Sequence, residues 1–175
     1  MLSASGAVTL LLMNRDHDTL LANLLELYIH DLSEVFSVKP GPDGRFGYDK
    51  LSLYWSEPDT RYAFLIKAGD QIAGFALVTR GSPATTDPND LDVAEFFVLR
   101  GHRRSGVGRQ AATTLWDTLP GNWVVRVSEA NLSGLAFWRS VCRDYAGESF
   151  AENARPGQPH GWRVLTFVTP AGRTR

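Results

Sequence analysis

The chain has a single cysteine, Cys142, two methionines, and no apolar run long enough to cross a bilayer. One cysteine can neither close an internal disulfide nor supply a zinc site by itself. The first apolar stretch, Ala7 to Met13 broken by Thr9, falls far short of the roughly 20 residues a membrane-spanning helix needs. No Lys or Arg precedes it, as a signal peptide would require. An excess of either charge is missing too: 18 Lys and Arg stand against 19 Asp and Glu, a net charge of −1. That balance excludes dedicated nucleic-acid binding. What is present is 43% hydrophobic sequence over 175 residues, which excludes intrinsic disorder and suits one domain spanning 1–175 with a substantial core. The expected setting is a reducing cytoplasm, with no membrane partner.

The charge is unevenly spread. Residues 1–60 hold nine acids and four bases, net −5, whereas residues 61–175 hold ten acids and fourteen bases, net +4. Such a split suits ligands of opposite charge on the two halves.

Val8 to Met13 reads as a short buried strand. With Asp16 or Asp18 as N-cap, Leu20, Leu21, Leu24, Leu25, Leu27, Tyr28 and Leu32 then recur at helical spacing, predicting an amphipathic helix over 18–36. Pro40-Gly41-Pro42 forbids its continuation. Residues 39–60 mix turn formers with Phe46, Tyr48, Tyr54 and Trp55, the pattern of a structured loop or short helix. Arg61–Ala68 and Gln71–Thr79 predict a hairpin turning at Gly69-Asp70. Further strands are expected at 91–99, 122–128 and 162–168, and helices at 107–119 and 131–143. A Gly- and Pro-rich loop precedes the last strand, with a short strand near Phe150. The order predicts a mixed α/β sheet.

The stretch that carries chemistry is Glu95-Phe-Phe-Val-Leu-Arg-Gly-His-Arg-Arg-Ser-Gly-Val-Gly-Arg109. An apolar strand runs into an Arg/Gly-rich turn and then a helix. Unpaired N–H groups and the helix dipole at such a start favour an anion. Gly106 and Gly108 let the main chain approach a ligand closely. Arg100, Arg103, Arg104 and Arg109 place four guanidinium groups within ten residues. A pyrophosphate is the natural guest. The turn has no lysine, which excludes a P-loop, and lacks the third glycine of a dinucleotide fingerprint.

Arg103-Arg104-Ser105-Gly106-Val107-Gly108 after Val98 resembles the pyrophosphate loop of the GNAT family of N-acetyltransferases. Asn131-Leu-Ser-Gly-Leu-Ala-Phe-Trp138 is similar to the family's Asn-x-x-Ala-x-x-x-Tyr segment. The resemblance implies the GNAT fold, an α+β arrangement whose central mixed, mostly antiparallel sheet has six to seven strands flanked by about four helices. It implies acetyl-CoA as cosubstrate, no metal, and direct acetyl transfer to a primary amine of a small molecule or peptide. Main-chain groups of Phe97, Val98 and Leu99 would bond the pantetheine arm and hold the thioester oxygen. Arg103, Arg104, Ser105, Gly106, Val107, Gly108 and Arg109 would hold the pyrophosphate. Asn131 and Trp138 would contact the cofactor near the thioester. Helix 18–36 and loop 39–60 would form the acceptor side, with Tyr28, Asp31 and Trp55 as substrate contacts and an acidity that suits a cationic amine. Dimers being common among similar proteins, a homodimer is carried as an expectation.

Two departures matter. Trp138 occupies the place of the tyrosine that often protonates the leaving thiolate, and an indole does not titrate usefully. Tyr28 and Tyr145 are the substitutes considered, with solvent as a third. Glu95, a charge inside an apolar strand, is the candidate base; the competing reading pairs it with an arginine such as Arg126. Cys142 reads as a small buried hydrophobe. A non-catalytic acyl-CoA-binding module is the alternative function.

Overall fold

The computed structural model describes residues 6–172. Seven strands form one sheet in the order β1-β2-β3-β4-β5-β7-β6. They are β1 (Val8–Leu12), β2 (Arg61–Ala68), β3 (Gln71–Arg80), β4 (Leu91–Val98), β5 (Asn122–Ser128), β6 (Ala151–Arg155) and β7 (Trp162–Val168). Every neighbouring pair is antiparallel except β4 and β5. Four helices accompany them: α1 (Asp18–Leu32), α2 (Leu53–Ser56), α3 (Val107–Thr118) and α4 (Leu132–Ala146).

The alternation of each strand divides the core between the two faces of the sheet. On one face, α3 and α4 bury Leu115, Trp116, Trp138 and Tyr145 against Val78, Val93, Val125 and Leu165. On the other, α1 and α2 bury Leu21, Leu24, Leu25 and Tyr54 against Ala63, Leu65, Phe75, Leu77 and Phe97. A β-bulge in β4 decides which face its charged residues reach. Leu77 pairs with Glu95 but Val78 pairs with Val93, so Ala94 is an extra residue. The alternation changes phase there. Asp92, Glu95 and Phe97 consequently share the α1 side, while Val93 and Phe96 pack on the α3–α4 side.

Several sequence expectations need correction. The first strand is not buried: it is a sheet edge, with Leu11 45% and Leu12 58% exposed. Helix α1 ends at Leu32 rather than 36. Neither aspartate caps it. Asn14 caps a short 3-10 turn ahead of it, accepting from the Asp16 N–H at 3.1 Å, and the Asp18 carboxylate accepts instead from the Trp55 indole at 2.6 Å. Leu27 turns outward, because the buried face needs only Leu21, Leu24 and Leu25.

Gly74 marks the tightest approach within the sheet. A Cβ there would fall inside the contact sphere of the Phe97 carbonyl oxygen. Gly74→Ala must therefore push β3 from β4, at an expected cost of at least about 2 kcal/mol. That is a fall in Tm of roughly 5 °C on thermal unfolding. An unchanged Tm would mean that the two strands part freely here.

Candidate active site

The parallel pairing of β4 with β5 covers only Leu91–Val93 against Trp123–Val125. Beyond it, β5 stays paired to β7 through Ser128, and β4 stays paired to β3 through Val98. The two strands part, and the main chain of β4 from Ala94 onward has no strand partner on that side. A cleft of about 650 Å³ opens at this wedge. Its walls come from β4 and β5, from α1 through Tyr28, from the segment carrying Tyr48, Tyr54 and Glu57, and from Asn131 and Trp138.

Glu95 stands in this cleft, held by two phenols from distant sequence. The Tyr28 hydroxyl donates to its Oε2 at 2.6 Å and the Tyr48 hydroxyl to its Oε1 at 3.1 Å. Burial pushes the Glu95 carboxyl above the ordinary glutamate range, against the opposing pull of these hydrogen bonds and of Arg126 and Lys50. Burial also raises all three tyrosines, Tyr28 well above 10 and Tyr54 to about 12, so they stay protonated donors. Glu95 is not paired with Arg126. That arginine forks onto Asp92, Nε to Oδ2 at 2.9 Å and Nη2 to Oδ1 at 2.8 Å. Asp92 is fully buried and also accepts from Ser82 Oγ at 2.5 Å.

Strand β4 leads into a 3-10 turn at Arg100–His102 and then into α3. Arg104 and Gly106 both lie at positive φ, 59° and 85°. For Gly106 this costs nothing, and it lets the chain enter α3 with no side-chain cap and no acid in the first turn. The first N–H groups of α3 are left for an outside acceptor. Gly108 is needed as well: a Cβ would press on the Phe137 ring at 3.3 Å.

The arginines of this turn are less free than their number suggests. Asp31, expected on the acceptor side, bridges Arg100 at 2.7 Å and Arg103 at 2.5 Å and does not line the cleft. Arg103 also donates to the Val98 carbonyl at 2.7 Å, and Arg109 pairs with Asp144 at 2.8 Å. Trp55 points to Asp18, away from the cleft. Asn131 lines the cleft, but its Oδ1 caps α4 by accepting from the Gly134 N–H at 3.0 Å. Gly134 stands where the resembled segment has alanine, and a Cβ there would meet the Asn131 side chain at 2.5 Å. Trp138 lines the cleft and packs edge-to-face against Phe96 and Phe137. Tyr145 is removed from the chemistry: it lies in the opposite core and donates to Asp117 at 2.7 Å. Cys142 is buried, its thiol pushed up to about 12. Among the described residues no cluster of His, Cys, Asp and Glu could hold a metal ion, and no helix is long and apolar enough to cross a membrane.

The sequence reading missed Asp92, Glu57 and Arg61. Arg61 pairs with Glu57 at 2.7 Å and stacks over Tyr54 at 5.8 Å. The only available signal was an acid, Asp92, within an apolar strand.

The acetyltransferase (GNAT) family model matches residues 21–142. No curated protein sequence matches the chain. Among solved structures, an acetyltransferase from Thermus thermophilus superposes with a TM-score of 0.66 at 16% identity, over 92% of this chain and 97% of that one. The aminoglycoside acetyltransferase AAC(6')-Ib, in complex with ribostamycin and coenzyme A, gives 0.67 at 14% identity, over 93% of each chain. Spermidine N-acetyltransferase from Vibrio cholerae, in complex with CoA and spermine, gives 0.65 at 11% identity, over 93% and 95%. With a matching family model over most of its length and an open seven-stranded sheet of the same architecture, the chain belongs to the GNAT family of acetyltransferases.

Proposed function

We infer that the protein, acting as a single domain, transfers an acetyl group from acetyl-CoA to the primary amine of a small molecule or peptide. The observation that carries this reading is a buried carboxylate, Glu95, facing a wedge between parallel strands that opens toward an uncapped helix start. The residues present fit the cofactor. The main chain around Phe97, Val98 and Leu99 suits the amides of a pantetheine arm on the side where β4 has no strand partner, with the Leu99 N–H given to Ala73 and the Val98 carbonyl already accepting from Arg103. The turn from Arg103 to Arg109 suits a pyrophosphate, through its N–H groups and the closeness that Gly106 and Gly108 permit. Acetyl-CoA, when bound, supplies an activated thioester.

The chain's own residues then do three things. Glu95 accepts the proton that the attacking amine must lose, directly or through one water, and a carboxyl raised by burial above the ordinary glutamate value is a stronger proton acceptor than an exposed one. Tyr28 and Tyr48 hold its two oxygens and fix its orientation. Main-chain N–H groups of β4 near Val98 steady the oxygen of the carbonyl under attack. The proton for the leaving sulfur comes from solvent, because Trp138 has no acidic proton, Tyr145 lies in the other core and the Tyr28 hydroxyl is given to Glu95. A CoA thiol, with an ordinary pKa near 8.5, leaves without strong acid assistance.

Thermal unfolding with acetyl-CoA, CoA, NAD and ATP at equal concentration tests the binding half. At 100 times Kd, CoA and acetyl-CoA should add about 2.7 kcal/mol, raising Tm by roughly 5–10 °C, with NAD and ATP without effect. Absence of any CoA shift would remove the ligand from the turn and the activity with it.

A further inference from the structure

The acids of residues 1–60 suggested a cationic acceptor, but nearly all of them face elsewhere. Glu26 accepts the N–H groups of Phe46 and Gly47, Asp18 holds Trp55, Asp31 holds the turn arginines, and Asp43 accepts from the Arg45 N–H. Of the nine, Glu57 alone lines the cleft, and Arg61 neutralises it. Asp92 neutralises Arg126 in the same way, and Lys50 is set against Glu95. Arg80 belongs to the other face of the sheet, where it reaches Tyr62. The cleft is therefore balanced and offers no net field to a second charge on the acceptor. A polyamine or an aminoglycoside would find no free carboxylate beyond Glu95.

What the cleft does offer is apolar and aromatic surface. Tyr28, Leu32 and Phe36 recur every four residues and all line it. Phe36 lies one turn past the end of α1, its N–H still donating to the Leu32 carbonyl at 2.8 Å. Trp162, the first residue of β7, comes from the opposite wall. It pairs with Ser128, two residues past Arg126 on β5, and so shares the face that carries Asp92 and Glu95. Phe36 and Trp162 stack, with ring centroids 6.2 Å apart and planes 19° from parallel. Gly157 leaves room for the indole, since a Cβ there would meet its ring at 2.7 Å. Among the described residues, Leu32, Phe36 and Trp162 join none of the buried clusters, and each is only half-buried. Three large apolar side chains thus stay partly in water at the cleft, where covering them is favourable. Tyr28 ties one end of this stripe to Glu95. Leu32 follows about 6 Å along the helix axis, and Phe36 about another 6 Å. A ring joined by a two-carbon arm to an amine at Glu95 falls along it.

We propose that the acceptor is a small primary amine carrying an aromatic ring, with its amine at Glu95 and its ring against Leu32, Phe36 and Trp162. This rests on the transfer reading above and names its substrate class.

The test measures thiol release from acetyl-CoA with phenethylamine and tryptamine, each against propylamine, beside spermidine and kanamycin. The two ring-bearing amines should show at least about tenfold higher kcat/KM than propylamine, the low end of what burying a phenyl ring contributes. In Phe36→Ala and Trp162→Ala that ratio should fall toward one, through KM, whereas Trp162→Phe should keep most of it. 2-Cyclohexylethylamine separates ring stacking from bulk: turnover equal to that of phenethylamine overturns the aromatic assignment. Equal turnover of propylamine, or better turnover of spermidine and kanamycin, overturns it too. If nothing releases thiol, the transfer reading fails. Calorimetric titration of phenethylamine and propylamine into CoA-saturated protein then decides the specificity alone. Tighter binding of phenethylamine, lost in Phe36→Ala, supports the ring site; equal binding, or none, overturns it.

Discussion

Glu95→Gln should make the protein inactive and, at neutral pH, more stable. The loss of activity follows from removing the proton acceptor and is expected to be at least about 100-fold in kcat. The gain in stability follows from the sign of the pKa shift. Folding raises the Glu95 pKa above 4.5 because burial penalises the charged carboxylate more than Tyr28, Tyr48 and Arg126 relieve it. A group raised in this way favours the fold below its unfolded pKa and loses that contribution as pH rises through the folded value. At pH 8 the native protein therefore carries a burial penalty that a neutral amide lacks, while near pH 4 both side chains are uncharged. Thermal unfolding should put the variant above the native protein at pH 8 and level with it near pH 4. In the native enzyme, kcat/KM should decline on the acid side along a limb lying above 4.5, the ordinary glutamate value. A variant that is less stable at pH 8, or that keeps activity, would show that Glu95 serves packing.

Asp92→Ala should have the opposite character, a large loss of stability. Asp92 is fully buried and forks with Arg126, whose side chain is only 28% exposed. Removing the carboxylate leaves a guanidinium in the cleft floor without its hydrogen-bonded ion-pair partner, at an expected cost of about 3–5 kcal/mol. For a chain of this size that is a fall in Tm of roughly 10 °C. Asp92→Ala combined with Arg126→Met should recover most of it, because an apolar pair of similar volume carries no desolvation debt. A single variant within about 1 kcal/mol of the native protein would show that water, not Asp92, balances Arg126. Because Asp92 and Glu95 share β4, the Tm rather than the activity of Asp92→Ala is the deciding quantity.

What could be read from the sequence was what is local. The hairpin at Gly69-Asp70, β5 and β7, and the start of α3 lie where propensity and punctuation place them. Glu95 stood out because a charge inside Val93-Ala94-Glu95-Phe96-Phe97 breaks the apolar pattern. What escaped was set by partners. Glu95 was offered Arg126 because β5 is the next strand, yet its partners are Tyr28 and Tyr48, brought from 67 and 47 residues away. No periodicity records such a meeting. Asp31 looked like a substrate contact, and only the tertiary fold shows that α1 hangs over the turn and that Asp31 reaches both of its arginines. The acidic bias of residues 1–60 misled for the same reason: composition counts carboxylates but does not say which way they face.

The extra residue at Ala94 has a consequence for how this chain tolerates change. Which side of the sheet Glu95 occupies is a matter of register, settled by its pairing with Leu77, and the bulge takes up the odd residue without disturbing that pairing. Substituting Ala94 by another small residue leaves that register intact. Deleting it would leave Val93 opposite Val78 and Glu95 opposite Leu77 in an unbroken ladder, so the carboxylate would keep its side of the sheet, and what the strand would lose is the local bend that the extra residue puts beside the cleft.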